Sequence, residues 1–391
     1  MLLGNPSLLL SLLQSSLLLR QLAEKQYQLL KDDASSTSST SLSSSSFLLS
    51  SLLKVASSSS SPPLPPTSTS SPPLPPSSPS LLSIPLRQLS LILLRRVLTQ
   101  EDESLYNKLD TSLQQSFKSL LLEALQIETI STIKNHLCDT IGDLGSYVIT
   151  TNDWPELLPF IYSLINDDNN AMNREVGLVL LGMISSTYKD ILTNTSTIRT
   201  VVHVFTIRLN DNDNNGRIVI AAIRALVLVL HTLSNDNEWS YFNNTSNIVI
   251  STLARTLYNV SVGTFDEVIA LGYIDSLIEV SESFPWYFES TFNDIIETSV
   301  VLIETTSTTT SSRHLLIEFL VSLSSSIPKK LRKLRGPNGE RGYFPLRVIP
   351  VLVQMVCSID DDPSWVTATD VEETAEESAA DSDVGETAID R

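Results

Sequence analysis

Any chemistry in this chain has to be assembled from few parts. The four histidines stand at positions 136, 203, 231 and 314, each inside a mostly apolar segment of helical pattern. None lies with cysteines and carboxylates at metal-ligand spacing, so they read as packed or surface histidines and no metal site is expected. Cys138 and Cys357 are far apart and sit in apolar stretches, which offers neither a disulfide framework nor a zinc pattern and fits a reducing compartment. The sequence holds no G-x-S-x-G elbow, no Gly-rich phosphate loop and no H-E-x-x-H. We therefore expect no enzyme and no cofactor, and look instead for surfaces that bind other macromolecules.

Two charged stretches are candidates. Lys329, Lys330, Arg332, Lys333 and Arg335 form a basic cluster followed by the loop-like Gly336-Pro337-Asn338-Gly339. It reads as a solvated helix end, where cations are locally favourable, with a localisation-type signal or an anion patch as alternatives. The second stretch is acidic. Asp360, Asp361 and Asp362 precede Trp365, and Glu372, Glu373, Glu376 and Glu377 follow, with no Lys or Arg from Asp360 until Arg391. A disordered acidic tail is the general reading. The sharper one is a loop that captures basic proteins, its carboxylates supplying attraction and Trp365 a cation–π contact.

The elements that must position these residues read as helices. From position 8 to about 30 the pattern is one amphipathic helix, favoured over a secretory signal because no charge precedes the run and no small-residue cleavage site follows. Residues 34–80 are mostly Ser, Thr, Pro and Leu and read as a disordered insertion, a neutral linker before a proline-rich ligand. Helical segments then follow at about 104–127, 130–149, 155–166, 171–187, 197–210, 217–234, 239–258, 265–282, 287–304, 311–326 and 344–357. Ile133, Leu137, Ile141 and Leu144 share one face of their helix. Pairs recur about every 40 residues, the period of HEAT and armadillo arrays. Strands compete at Thr200–Leu209 and Arg217–Leu230, which are rich in Val and Ile, but these runs exceed the typical strand of about 5–6 residues.

The fold class expected is all-α: a HEAT-repeat, armadillo-like superhelical solenoid of antiparallel helix pairs with a disordered Ser/Pro insertion and an acidic loop. Its parts are a first helix in residues 1–33, the insertion in 34–80, N-terminal repeats in 81–190, further repeats in 191–358, and the acidic loop with the start of a truncated repeat in 359–391. The net charge of −18 argues against a nucleic-acid partner and favours basic protein partners. No run reaches the ~18 consecutive apolar residues of a spanning helix, so no membrane insertion is expected.

Against this background several segments, in order, resemble the importin beta superfamily, most closely its importin beta-3 type. Arg20-Gln21-Leu22-Ala23-Glu24-Lys25-Gln26-Tyr27 is similar to the family's R-K-Q-A-E-x-x-Y. Arg87-Gln88-Leu89 with Leu93-Leu94-Arg95-Arg96-Val97-Leu98 resembles R-Q-M-A-x-x-L-L-R-R-L-L. Gln126-Ile127-Glu128-Thr129, Cys138-Asp139, Trp154-Pro155-Glu156-Leu157 and Arg174-Glu175 add to it. The most specific match is Asp360-Asp361-Asp362-Pro363-Ser364-Trp365 followed by Gly385-Glu386-Thr387-Ala388-Ile389-Asp390-Arg391. It resembles the family's acidic D-D-x-x-W loop and G-E-S-A-L-D-R segment.

The resemblance implies a nuclear import receptor, or its amino-terminal portion, shuttling between cytoplasm and nucleus through nuclear envelope pores. Its partners would be Ran in the GTP form, basic cargo proteins and nucleoporins. Ran would face the second helices of the first three repeats, around Arg87, Arg95, Arg96, Cys138, Asp139, Arg174 and Glu175. The family continues beyond the position matching Arg391, so the chain is expected to be a fragment or a shortened product. The basic loop near Arg335 and the Ser/Pro insertion depart from the family pattern. A HEAT-repeat scaffold without Ran dependence is the alternative reading.

Overall fold

The computed structural model describes residues 80–99, 105–148, 154–187, 194–211, 216–233, 236–305, 307–357 and 381–390. The expected first helix, residues 34–79 of the insertion, and the acidic residues from Asp360 to Glu377 with Trp365 lie outside them. The chain divides into two compact units, one ending at Asn166 and the other beginning at Asp167.

The first unit holds α1 (Ser80–Thr99), α2 (Thr111–Ile127), α3 (Ser131–Val148) and α4 (Leu157–Ile165). Leu91, Leu94 and Leu98 of α1 are fully buried, as are Ile133, Leu137, Ile141 and Leu144 of α3. These two faces meet, and α2 packs on α3. The single helix expected over 104–127 is two pieces, a 3-10 turn at Leu105–Lys108 and then α2. The break is local chemistry: Asp110 has extended backbone and its carboxylate accepts the Leu113 N–H, so it caps the start of a new helix.

The second unit is built in two layers. Its first helices are α6 (Thr195–Leu209), α9 (Thr245–Ser261), α11 (Phe292–Glu304) and α14 (Tyr343–Val356). Its second helices are α5 (Ala171–Thr187), α7 (Arg217–Leu230), α10 (Glu267–Ser283), α12 (Thr310–Ser326) and α15 (Asp381–Asp390). Short segments α8 (Asp236–Ser240) and α13 (Pro328–Lys333) and a 3-10 stretch at Pro285–Thr291 lie between pairs. Each first helix packs on its own second helix, and within each layer every helix packs on its neighbour. Both segments that competed as strands are helical, and the one bridge among the described residues joins Arg335 to Arg341.

Two sequence features make the second layer close. Gly182 of α5 leaves no room for a side chain, since a Cβ there would meet Ala225 Cα at 3.2 Å and Leu228 Cδ1 at 2.9 Å. Gly272 of α10 likewise sits 2.6 Å, measured from its missing Cβ, from Ile220 Cδ1 of α7. Buried hydrophobic side chains such as Leu226 of α7, Ile274 of α10 and Leu320 of α12 fill the core of this unit. The last ten described residues form α15, where the sequence pattern alone marks no helix; α15 packs on both α14 and α12.

Candidate protein-binding surface

The seven residues expected to face Ran divide sharply by burial. Arg87 is 2% exposed, and its guanidinium pairs with the buried carboxylate of Glu128. Glu128 also accepts the backbone N–H groups of Thr129 and Ile130 at 3.0 and 2.8 Å, and Lys134 Nζ donates to its carbonyl at 3.2 Å. The cluster thus ties α1 to the turn that begins α3. Cys138 is buried on α3.

In the second unit Arg174 is also buried. It donates to the carbonyls of Asp167 and Asp168 at 3.0 and 3.1 Å and ion-pairs with Asp211 at 3.1 Å. Arg208 reaches the same Asp211 at 2.7 Å, so two arginines share one carboxylate across neighbouring helix pairs. Asn173 donates to Asp167 at 2.7 Å, and that hydrogen bond, with backbone donors and nearby Arg174, holds the Asp167 carboxyl below its ordinary range. Arg174 therefore staples the turn before α5, while Glu175 beside it is half-buried.

The remaining residues do form a surface, on the second helices of the first unit. Arg95 of α1 donates through Nε to Asp143 at 2.5 Å and lies 3.4 Å from Asp139 through Nη1. The Asp143 hydrogen bond, aided by the charges of both aspartates, raises the Arg95 pKa further. Arg96 beside it is exposed. Ile92, one turn earlier, is 51% exposed. On α3, Asp139, Asp143 and Tyr147 stand four residues apart and so line one row. Tyr147 is partly exposed and accepts a hydrogen bond from Asn107.

This surface combines an oriented cation, a second exposed cation, two carboxylates and flanking apolar groups, which suits a polypeptide partner. Asp143, Tyr147 and Ile92 were missing from the sequence expectation. The spacing of Asp139, Asp143 and Tyr147 is the signal that could have found the two on α3.

A second surface belongs to the second helices of the second unit. Asp275, Glu279 and Glu282 of α10 are exposed at spacings of four and three, which places them on one helical face. Glu318 of α12 is half-exposed, and Asp383 and Glu386 of α15 are exposed. Glu279 contacts His231 at 3.1 Å and Glu282 accepts from Ser322 at 3.2 Å. Carboxylates presented in this way attract cationic polypeptide.

Among the described residues no group of three or more His, Cys, Asp or Glu is placed to hold a metal ion. The cavity of about 190 Å³ lined by Ile303, Val351, Met355, Arg313, Glu304 and Asp381 contains two carboxylates, of which Asp381 is already shared by two partners. Asp381 pairs with Arg313 at 3.2 Å and His314 at 2.7 Å, which fixes the start of α15 on α12. No helix among the described residues is long and apolar enough to cross a membrane.

Known proteins share this sequence pattern and fold. The family model described as "IPO5-like, TPR repeats" matches residues 129–298, and the "Importin repeat" model matches residues 306–391. Importin subunit beta-3 of Saccharomyces cerevisiae is 24% identical over 262 residues, which is 66% of this chain and 22% of that protein. The karyopherin Kap121p bound to the extreme C-terminus of the protein phosphatase Cdc14p superposes with a TM-score of 0.71 at 19% identity, over 99% of this chain and 33% of that one. Kap121p bound to RanGTP gives 0.65 at 19% identity, covering 94% and 32%.

The chain thus spans about a third or less of these relatives' length. Its helix pairs recur at about 40–50 residues, longer than the 34-residue tetratricopeptide unit and matching the HEAT period. The fold is the all-α HEAT-repeat solenoid seen in the karyopherins. With the two family models together matching well over half of its residues, the chain belongs to the importin beta superfamily.

Proposed function

We propose that this chain serves as a karyopherin beta-type nuclear import receptor, binding Ran in its GTP form through α1 and α3 and basic cargo through the acidic second helices of its second unit. The observation that carries the reading is the Arg95, Asp139 and Asp143 constellation with exposed Arg96 beside it. An arginine held by two carboxylates is pre-oriented, so less of its side-chain entropy is lost when a partner docks. Solved structures of Kap121p bound to RanGTP, to Pho4p and to Ste12p support it by analogy of fold. Arg87 and Cys138 serve this surface from behind, as a staple and as packing, while Arg174 staples the turn before α5 in the second unit.

The acidic run from Asp360 to Glu377 with Trp365 extends the cargo-binding charge, and Ran and cargo oppose each other through a coupling free energy between their sites. Nucleoporin contacts and shuttling between cytoplasm and nucleus complete the proposal.

The experiment is titration of the purified chain with Ran loaded with GTP and, separately, with GDP. Preference for the GTP form by at least about tenfold, lost on Arg95→Glu/Arg96→Glu, is expected. Equal or absent binding by a folded chain would favour a HEAT-repeat scaffold independent of Ran.

A further inference from the structure

The segment from Pro328 to Gly342 is not used by either proposed surface. Lys329, Lys330, Arg332, Lys333, Arg335 and Arg341 are all exposed, and they are six of the 26 Lys and Arg in a chain whose net charge is −18. They stand on an ordered platform. Leu331 is buried and keys α13 into the unit. Gly336 N–H donates to the Glu340 carbonyl at 3.0 Å, Gly339 N–H to the Gly336 carbonyl at 2.9 Å, and Asn293 of α11 donates to the Arg335 carbonyl at 3.2 Å. Gly339, at φ 85°, closes the turn in a conformation that side chains disfavour.

We propose that this loop is a docking surface for an acidic segment of a partner polypeptide. Three observations carry the inference. First, the bridge sets Arg335 directly opposite Arg341, an arrangement of like charges that costs stability until an anion lies between them. Second, the loop's own carboxylate is already engaged, since Glu340 accepts from Asn338 N–H at 3.1 Å and from Asn338 Nδ2 at 2.9 Å. Among the described residues only Lys330 of the six has an ion pair, with Glu289 at 2.8 Å.

Third, the surroundings select a short ligand. Exposed Glu289 and Asp294 flank the contacts that anchor the loop. A nucleic-acid duplex would run its phosphates past the platform into those carboxylates, whereas a brief run of Asp and Glu is short enough to stay on the cations. The surface is independent of the Ran and cargo reading and opposite in charge to the proposed cargo face.

The test uses the full chain and a fluorescent Glu- and Asp-rich peptide of about 12 residues, enough at roughly 3.3 Å per residue to cross the loop. Anisotropy should show saturable binding of this peptide and none of a Gln/Asn peptide of equal length. Affinity should fall at least about fivefold between about 50 and about 200 mM salt as screening tightens. Arg332→Glu/Lys333→Glu/Arg341→Glu should weaken binding at least about tenfold, and the milder Lys329→Gln/Arg335→Gln by about threefold. Circular dichroism and Ran binding should be unchanged in both, since every substituted side chain is exposed. Absent binding, an equal loss on Arg199→Glu/Arg217→Glu, or tighter binding of a short DNA duplex than of the peptide would overturn the proposal.

Discussion

The two layers of the second unit are held together differently. Between neighbouring second helices the contact is close, with Gly182 against Ala225 and Gly272 against Ile220, and polar contacts such as Glu282 with Ser322 lie beside these approaches. Between neighbouring first helices longer polar bridges carry part of the contact. Glu297 of α11 receives Arg347 of α14 through two bonds at 2.9 and 2.8 Å and the Tyr343 hydroxyl at 2.8 Å. An open groove of about 350 Å³ lined by Asn247, Ser251, Asp294 and Glu297 runs beside the contact of α9 with α11. A stack built this way concentrates its cohesion along one rail and leaves the other easier to adjust, because close packing tolerates no displacement while solvated bridges re-form at small cost.

Substitutions in each layer test that contrast. The largest effect is expected from Leu226→Ala, which empties a fully buried position of α7 between two second-layer neighbours; a loss of about 2–5 kcal/mol should appear in urea unfolding. Gly182→Val should follow with a net loss of about 1–3 kcal/mol, because its side chain meets the Ala225 backbone, partly offset by better helix propensity. A neutral outcome there would show that the second layer yields as readily as the first.

In the first layer, Glu297→Gln should cost less than about 1 kcal/mol, since its side chain is 44% exposed and the pair is screened. The smallest effect concerns pH. Hydrogen bonds from Arg347 and Tyr343 hold Glu297 below its ordinary value of 4.5, so the unfolded chain takes up the proton first. This contribution is fully present above pH 4.5 and fades as pH falls through the depressed value. The urea midpoints of wild type and Glu297→Gln should therefore converge on acidification.

Much of the fold was written in one-dimensional patterns. The face of Ile133, Leu137, Ile141 and Leu144 was legible because four apolar residues at helical spacing have one way to be buried together. Short capped segments were not. The turn of α8, the stub of α13 and the split at Asp110 depend on local hydrogen bonds that periodicity averages away. The site was less legible still. Arg87 and Arg95 lie eight residues apart on one helix and look equivalent in sequence, yet one is buried against Glu128 and the other reaches Asp139 and Asp143 at the surface. Their partners stand over 40 residues away, so burial of a charge is decided by stacking between repeats.

The docking of α15 has a consequence for how cohesion is distributed in time. Its backbone comes very near that of α14, as a Cβ on Gly385 would meet the Leu352 carbonyl oxygen at 3.0 Å and the Val356 nitrogen at 3.1 Å. Yet residues 358–380 separate the two helices, where other pairs are joined by a few residues. Ten residues and the Asp381 contacts to Arg313 and His314 hold α15 in place. The amides of α15 should therefore exchange with solvent deuterium well before those of α10 and α12, as a cooperative unit that opens by itself while the remaining stack stays closed.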